Sequence, residues 1–199
     1  MRLVIKPLTP DLWTPLEDLF GVRGACGGCW CMYWRIGAAY RRRPATRNQA
    51  DFREVVRHGP PPGLVAFDGG LAVGWCQLTP RDALPFLDRQ WRLKRVDDVP
   101  VWSISCFYVR IGYRRRGVTT ALIREALRVA KRAKAPALEA YPFDAALSPS
   151  STSTGYASTF ARAGFKVVAR HIPARPIMRH DLRRIGTFSI ARTRDPGRG

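Results

Sequence analysis

The stretch Phe107-Tyr108-Val109-Arg110-Ile111-Gly112-Tyr113-Arg114-Arg115-Arg116-Gly117-Val118-Thr119-Thr120 has the residue types to hold a phosphate. It follows the strand-like run Val101 to Val109 and opens a run with helical periodicity, Ala121 to Lys134. The first N–H groups of a helix have no intrahelical acceptor, and the helix dipole adds partial positive charge at the same end. A basic turn at that point therefore attracts anions, and a glycine such as Gly117 lets the backbone approach a ligand closely.

A second chemistry-bearing cluster is Cys26-Gly27-Gly28-Cys29-Trp30-Cys31-Met32-Tyr33-Trp34. Cys-x-x-Cys-x-Cys invites a metal reading, but a tetrahedral site needs a fourth ligand. Only Cys76, Cys106, His58, His171 or His180 could supply it, and no second Cys-x-x-Cys exists. Redox chemistry at Cys26 and Cys29 lacks the expected surrounding pattern, so buried thiol packing leads and no metal is expected.

The elements that must carry these residues follow from pattern. Leu3 to Leu8 reads as a strand, and Thr9-Pro10-Asp11 starts a helix with Leu12, Trp13, Leu16, Leu19 and Phe20 at helical spacing. A helix from about Asn48 to Arg57 stops at Gly59-Pro60-Pro61-Pro62-Gly63. Leu64 to Phe67 and Leu71 to Leu78, joined by Asp68-Gly69-Gly70, read as a hairpin. Arg81 to Trp91 holds a short helix, and Gly21 to Trp34 resists assignment. The helix Thr120 to Lys134 puts Leu122, Ile123, Ala126, Leu127 and Ala130 on one face. Ala137 to Tyr141 is a strand, Ser148 to Ser151 a loop, and Thr154 to Ala163 a helix closed by Gly164. Phe165 to His171 and Ile177 to Leu182 are the last strands. This order is α/β in class: a mixed, mostly antiparallel central sheet flanked by helices.

The chain has 199 residues, enough for one domain over residues 1–182 followed by a basic, flexible tail over 183–199. Its 34 basic and 15 acidic residues give a net charge of +19. The excess is concentrated, with nine basic residues against one acid over 110–134 and seven against two over 35–57. Such a surface attracts anions, nucleic acid included, though only through non-specific charge. No apolar run approaches the ~20 residues of a membrane span. Five cysteines do not make a secreted disulfide framework, so a cytoplasmic setting is expected.

Three segments together resemble the GNAT superfamily of N-acetyltransferases. Phe107 to Thr119 is similar to the family's acetyl-CoA motif, with Arg114 and Gly117 in register and Thr119 in place of the usual small residue. Ala72-Val73-Gly74-Trp75 resembles its third strand, and Tyr156 to Phe165 its late helix ending in Gly-Phe. The resemblance implies acetyl transfer from acetyl-CoA to a primary amine by direct attack in a ternary complex. The acceptor implied is first an amine of a small molecule, then a protein amine. The alternative is a catalytically weak module of the same fold that holds acyl-CoA or nucleic acid. The chain would be a monomer or a homodimer.

The same resemblance assigns residues. Coenzyme A would lie along Phe107, Tyr108 and Val109. Its phosphates would rest on Arg114, Arg115, Arg116, Gly117, Val118, Thr119 and Thr120, and Ser153 would touch the pantetheine arm. Backbone N–H groups near Phe107 to Val109 would polarise the thioester carbonyl. The family's usual tyrosine acid falls on Phe160, which has no proton to give, and Tyr156 lies one turn earlier. Glu139 is the candidate base, with a structural salt bridge and a water chain as its alternatives. Trp30, Cys31 and Trp34, with Trp75, Gln77 and Tyr141, would shape the acceptor site.

Overall fold

The computed structural model describes residues 1–144 and 153–183. The expected Ser148–Ser151 loop, and the tail beyond residue 183, lie outside the described residues. In chain order the regular elements begin with β1 (Leu3–Pro7), α1 (Trp13–Phe20), α2 (Tyr33–Ile36) and α3 (Ala45–His58). The hairpin strands β2 (Gly63–Asp68) and β3 (Leu71–Pro80) follow, then α4 (Phe86–Arg89) and β4 (Trp102–Val109). The chain continues with α5 (Val118–Arg132), β5 (Ala137–Ala140), α6 (Ala157–Arg162), β6 (Lys166–Ala169) and β7 (Ile177–Asp181).

The strands form one seven-stranded sheet in the order β1-β2-β3-β4-β5-β7-β6. Every pairing is antiparallel except β4 with β5, the two strands joined through α5. The β2–β3 turn runs through Gly69 (φ 56°) and Gly70 (φ 89°), the pair of left-handed residues that a tight two-residue hairpin requires.

Helices cover both faces. On one, α1 buries Trp13, Leu16, Leu19 and Phe20 and α3 buries Phe52 and Val56 against Val65, Phe67 and Trp75 of the sheet. On the other, α5 buries Val118, Leu122, Ile123, Ala126 and Ala130, with Phe160 of α6 and Phe165 joining them. A smaller cluster of Trp34, Leu84, Leu87, Leu93, Tyr141 and Ile177 lies near the end of β5. No helix among the described residues is long and apolar enough to cross a membrane.

Where the structure departs from the sequence pattern, local chemistry gives the reason. The helix expected from Thr120 begins at Val118, because Gly117 (φ 80°) turns the chain into it. The helix expected from Thr154 begins only at Ala157. Tyr156 is its N-cap in extended backbone, bridged to Phe143. Gly21 to Trp34 defeats periodicity because Ala25, Trp30 and Cys31 all have positive φ, which side chains seldom adopt.

Gly74 fixes how closely the sheet approaches α5. A Cβ there would stand 2.5 Å from Cγ1 of Val118, the first residue of the helix. Gly74→Ala is therefore expected to push the start of α5 outward and cost about 1–3 kcal/mol, read as a lower urea midpoint.

Candidate active site

Parallel pairing of β4 with β5 stops early. Trp102, Ser103 and Ile104 pair with Leu138, Glu139 and Ala140, after which β5 ends and β4 continues to Val109 on the β3 side alone. Residues Ser105 to Val109 thus have a backbone edge with no strand partner beyond Ile104. Part of that edge is met by the chain itself. The Trp34 indole N–H donates to the Ser105 carbonyl at 2.9 Å, and the Phe107 N–H donates to the Ser153 carbonyl at 2.5 Å. The Phe107 donor, expected to face a thioester, is engaged in this arrangement.

Beyond the strand end the chain makes the anion-holding turn. Arg115 has φ 61°, Gly117 has φ 80°, and no side chain caps α5, so the first-turn N–H groups are presented outward. A Cβ on Gly117 would meet nothing within 4 Å, leaving open space above the turn. Arg110 anchors the base of the turn, donating from Nε to the Ala72 carbonyl at 2.9 Å and from Nη2 to Asp18 of α1 at 2.5 Å. Among the described ion pairs, none of Arg114, Arg115 and Arg116 has a carboxylate partner.

A cavity of about 620 Å³ joins the turn to the gap. Phe107, Tyr108, Val109 and Ser153 line its middle, and Arg114, Arg115, Gly117, Val118, Thr119 and Thr120 line its basic end. Tyr156 borders it from the start of α6, with Thr159 and Arg162 beside it. The far end is lined by Phe20, Ala25, Cys26, Cys31, Trp75 and Cys106. Arg116 is not on the wall; its guanidinium lies 5.6 Å from the centroid of the Tyr113 ring.

A sequence model of the Acetyltransferase (GNAT) family matches residues 30–150. The chain belongs to this family. Similar folds include PaiA N-acetyltransferase from Thermoplasma acidophilum in complex with coenzyme A. It is 16% identical at TM-score 0.53, covering 91% of this chain and 99% of that one. YncA from Salmonella typhimurium, a putative acetyltransferase with its cofactor acetyl-CoA, is 14% identical at TM-score 0.55, covering 94% and 97%. An N-acetyltransferase from Staphylococcus aureus Mu50 is 14% identical at TM-score 0.53, covering 92% and 100%. At these identities the likeness is one of fold. No curated protein matches the chain.

Within this GNAT fold several expected residues do other work. Glu139 is 2% exposed and does not line the cavity. Its Oε1 accepts from Arg179 Nη2 at 2.6 Å, while its Oε2 faces Arg81 Nη1 at 3.4 Å and accepts from the Tyr141 hydroxyl at 3.1 Å. Two guanidiniums hold this carboxylate, which corrects the expectation of a base facing the gap. The salt-bridge alternative is the one the contacts favour. Tyr141 belongs to the same network, bonded to Arg81 at 2.7 Å and Ser103 at 2.8 Å, and burial raises its hydroxyl pKa far above the ordinary value. It too is absent from the cavity wall. Arg81 also holds Asp88 at 2.6 Å; burial pushes that carboxyl up, but the Arg81 hydrogen bond and charge leave it below the usual range.

Trp30 and Trp34 are likewise not on the wall. Trp30 is 2% exposed and stacks on Trp13, centroids 5.8 Å apart at 21°. Trp34 is committed to Ser105. Gln77 is buried and works beneath the floor, accepting from the Ser105 hydroxyl at 2.9 Å and donating to the Cys31 carbonyl at 3.2 Å. Cys31 and Trp75 do reach the cavity, with the Trp75 indole N–H donating to the Cys31 thiol at 3.0 Å.

The wall residues Phe20, Ala25, Cys26, Ile111, Tyr113, Gly155 and Thr159 were not expected from the sequence. Arg162, the cation of the late helix that the family resemblance offers to the outer phosphate, does line the wall. Cys106 was weighed only as a metal ligand. A hydrogen bond with Cys31 lowers its thiol pKa against the opposing effect of burial, and the Ser153 hydroxyl lowers it further. Burial, with Cys106 nearby, pushes the Cys29 thiol up to about 11. Burial likewise lifts Cys31 and Cys76 well above the ordinary range. Among the described residues, no group of three or more His, Cys, Asp or Glu side chains could hold a metal ion.

Two outcomes follow. Glu139→Gln strips a buried counter-charge from Arg81 and Arg179 and is expected to cost about 3–5 kcal/mol in urea denaturation. A thiol-disulfide reagent at pH 8 is expected to modify exposed Cys26 well before fully buried Cys76, which reacts only on unfolding, as followed by peptide mass mapping.

Proposed function

We propose that this protein is an acetyl-CoA-dependent N-acetyltransferase that moves an acetyl group onto a primary amine of a small molecule, by direct attack in a ternary complex. The observation that carries this reading is the single cavity running from an uncapped, arginine-flanked helix start, along an unpaired strand edge, to an apolar end. Coenzyme A has the matching parts: phosphates, an amide-bearing arm and a thioester. Both PaiA and YncA are described with coenzyme A or acetyl-CoA bound, which supports the same co-substrate here.

In this reading the N–H groups of Arg115 to Thr120 receive the pyrophosphate. Arg114, Arg115 and Arg162, all on the wall, reach the outer phosphates. The edge of β4 takes the pantetheine arm as an added strand, with Ser153 beside it. The amine nitrogen attacks the thioester carbonyl carbon, the C–S bond breaks, and the sulfur leaves as a thiolate that needs a proton. Tyr156 is the wall residue suited to supply it. Phe160, at the family's acid position, is fully buried against Phe107 and Phe165 and takes no part. With Glu139 locked in its ion pairs, the amine's proton leaves through water.

The loss of both usual groups is a specific observation in favour of a second reading, a module that binds acyl-CoA without turnover. Coenzyme A release from acetyl-CoA across an amine panel separates the two. In the first reading, Tyr156→Phe lowers kcat by about 100-fold with little change in cofactor affinity. Arg114→Ala combined with Arg115→Ala weakens acetyl-CoA binding by about 10- to 100-fold in titration calorimetry. Tight acetyl-CoA binding with no release for any amine would establish the second.

A further inference from the structure

We propose, resting on the acetyltransferase reading, that the acceptor is a flat, weakly basic amine already neutral at pH 7, an arylamine or an acyl hydrazide, rather than a polyamine or a lysine. The argument starts from the walls of the cavity. None of the described residues that line it is Asp, Glu or His. Residues 145–152, which precede Ser153, contain none of these types either, so that segment has no carboxylate or imidazole to contribute. The nearby acids are committed elsewhere: Glu139 to Arg81 and Arg179, Asp18 to Arg110. The formal charges on the described wall are those of Arg114, Arg115 and Arg162, which face the phosphates and offer an ammonium group no counter-charge.

An alkyl ammonium entering this end meets no counter-charge and loses its hydration. With a pKa of about 10.4, only roughly one such amine in 2,500 is neutral at pH 7. An enzyme acting on it needs a carboxylate or a base to offset that factor, and among the described residues none lines this cavity. An aromatic cage is not available as a substitute. Trp75 is fully buried, with ring contacts to Phe20 at 6.0 Å and Phe52 at 5.9 Å, leaving Tyr108 as the partly exposed ring beside them, while the other partly exposed wall rings, Tyr113 and Tyr156, lie on the turn and at the start of α6.

What the acceptor end offers is area and polarisability. Phe20 meets Tyr108 edge-on at 5.7 Å, and the thiols of Cys31 and Cys106 lie alongside. Sulfur and ring edges pack favourably against a planar aromatic group. An amine conjugated to a ring or carbonyl keeps its lone pair on nitrogen at neutral pH. It attacks the thioester without first giving up a proton. The C–N bond forms, the C–S bond breaks, the thiolate takes a proton, and the nitrogen sheds one to water, with no change of oxidation state.

The test uses the full chain with acetyl-CoA and four amines: 4-methoxyaniline, benzoic hydrazide, putrescine and lysine amide. The expected result is kcat/KM at least about tenfold higher for the aryl compounds, with a profile flat from about pH 6 to 9. The same amines are measured by equilibrium dialysis against the protein saturated with coenzyme A. Saturable binding of the aryl compounds without turnover would defeat the acetyl-transfer reading and leave the acceptor class standing. Preference for putrescine or lysine amide in either measurement overturns the proposal, as does failure of the aryl compounds both to bind and to react. Cys26→Asp places a carboxylate at the exposed rim of this end, and is expected to shift the aryl-to-putrescine binding ratio about fivefold toward putrescine. An unchanged ratio, in a variant with unaltered coenzyme A affinity, counts against it.

Discussion

A strand edge that leaves its neighbour inside a folded protein carries N–H and C=O groups that must be met by something, since burying them unpaired costs free energy. That requirement governs this molecule. β4 separates from β5 after Ile104, and most of what is unusual in the chain answers to that separation. The Trp34 indole reaches across to the Ser105 carbonyl, Ser153 meets the Phe107 N–H, and Phe143 pairs with Gly155 and Ala157 where β5 would otherwise have continued. The remaining length of edge borders the cavity. A gap that can accept a peptide-like arm exists because the protein satisfies some of the edge and leaves the rest.

The buried ion network stabilises the point of divergence. Arg81 is 2% exposed and donates to Tyr141, Asp88 and the Leu93 carbonyl, while Arg179 joins Glu139 to Asp97. Charges so deep are costly singly and tolerable only as a satisfied set. Their arrangement ties β4, β5 and β7 to the segment after β3 just where the sheet opens. The Asp97 carboxyl, lowered chiefly by its hydrogen bond from Arg179, adds stability that is complete above the ordinary carboxylate range and fades as pH falls through its depressed value. Asp97 is largely solvent-exposed, so its share is small.

The basic turn and its place on the cavity wall were legible because their physics is local. Gly117 and the arginines before it are consecutive, and a strand, a basic turn and an amphipathic helix announce themselves by neighbouring residues. Gly74 was legible for a similar reason, as one position in a short strand pattern. The far end of the cavity was not. Glu139 has the right chemical type for a base, but its role is decided by Arg81 and Arg179, distant in sequence and invisible to spacing. Trp30 and Trp34 look like wall residues by composition. Three left-handed residues turn one into the core and aim the other at a backbone carbonyl. Tyr156 and Phe160 were expected on one helical face; Tyr156 is instead the cap of α6 and lines the cavity, while Phe160 is buried in the core.

The distribution of charge around α5 has a kinetic meaning. Near its middle and end, Arg128 and Arg132 share Glu125 at 3.0 Å each, and with Arg124 and Lys131 nearby that part of the helix stays net positive. At its beginning, Arg114, Arg115 and Arg116 add to the positive end of the helix dipole. Side-chain charge is thus positive along the whole helix, and at the mouth of the cavity the helix dipole adds to it. At physiological ionic strength such a field reaches about 8 Å, so it draws in a polyanion during the last steps of diffusion. Added salt would then slow capture of the cofactor while leaving the apolar end of the cavity unaffected.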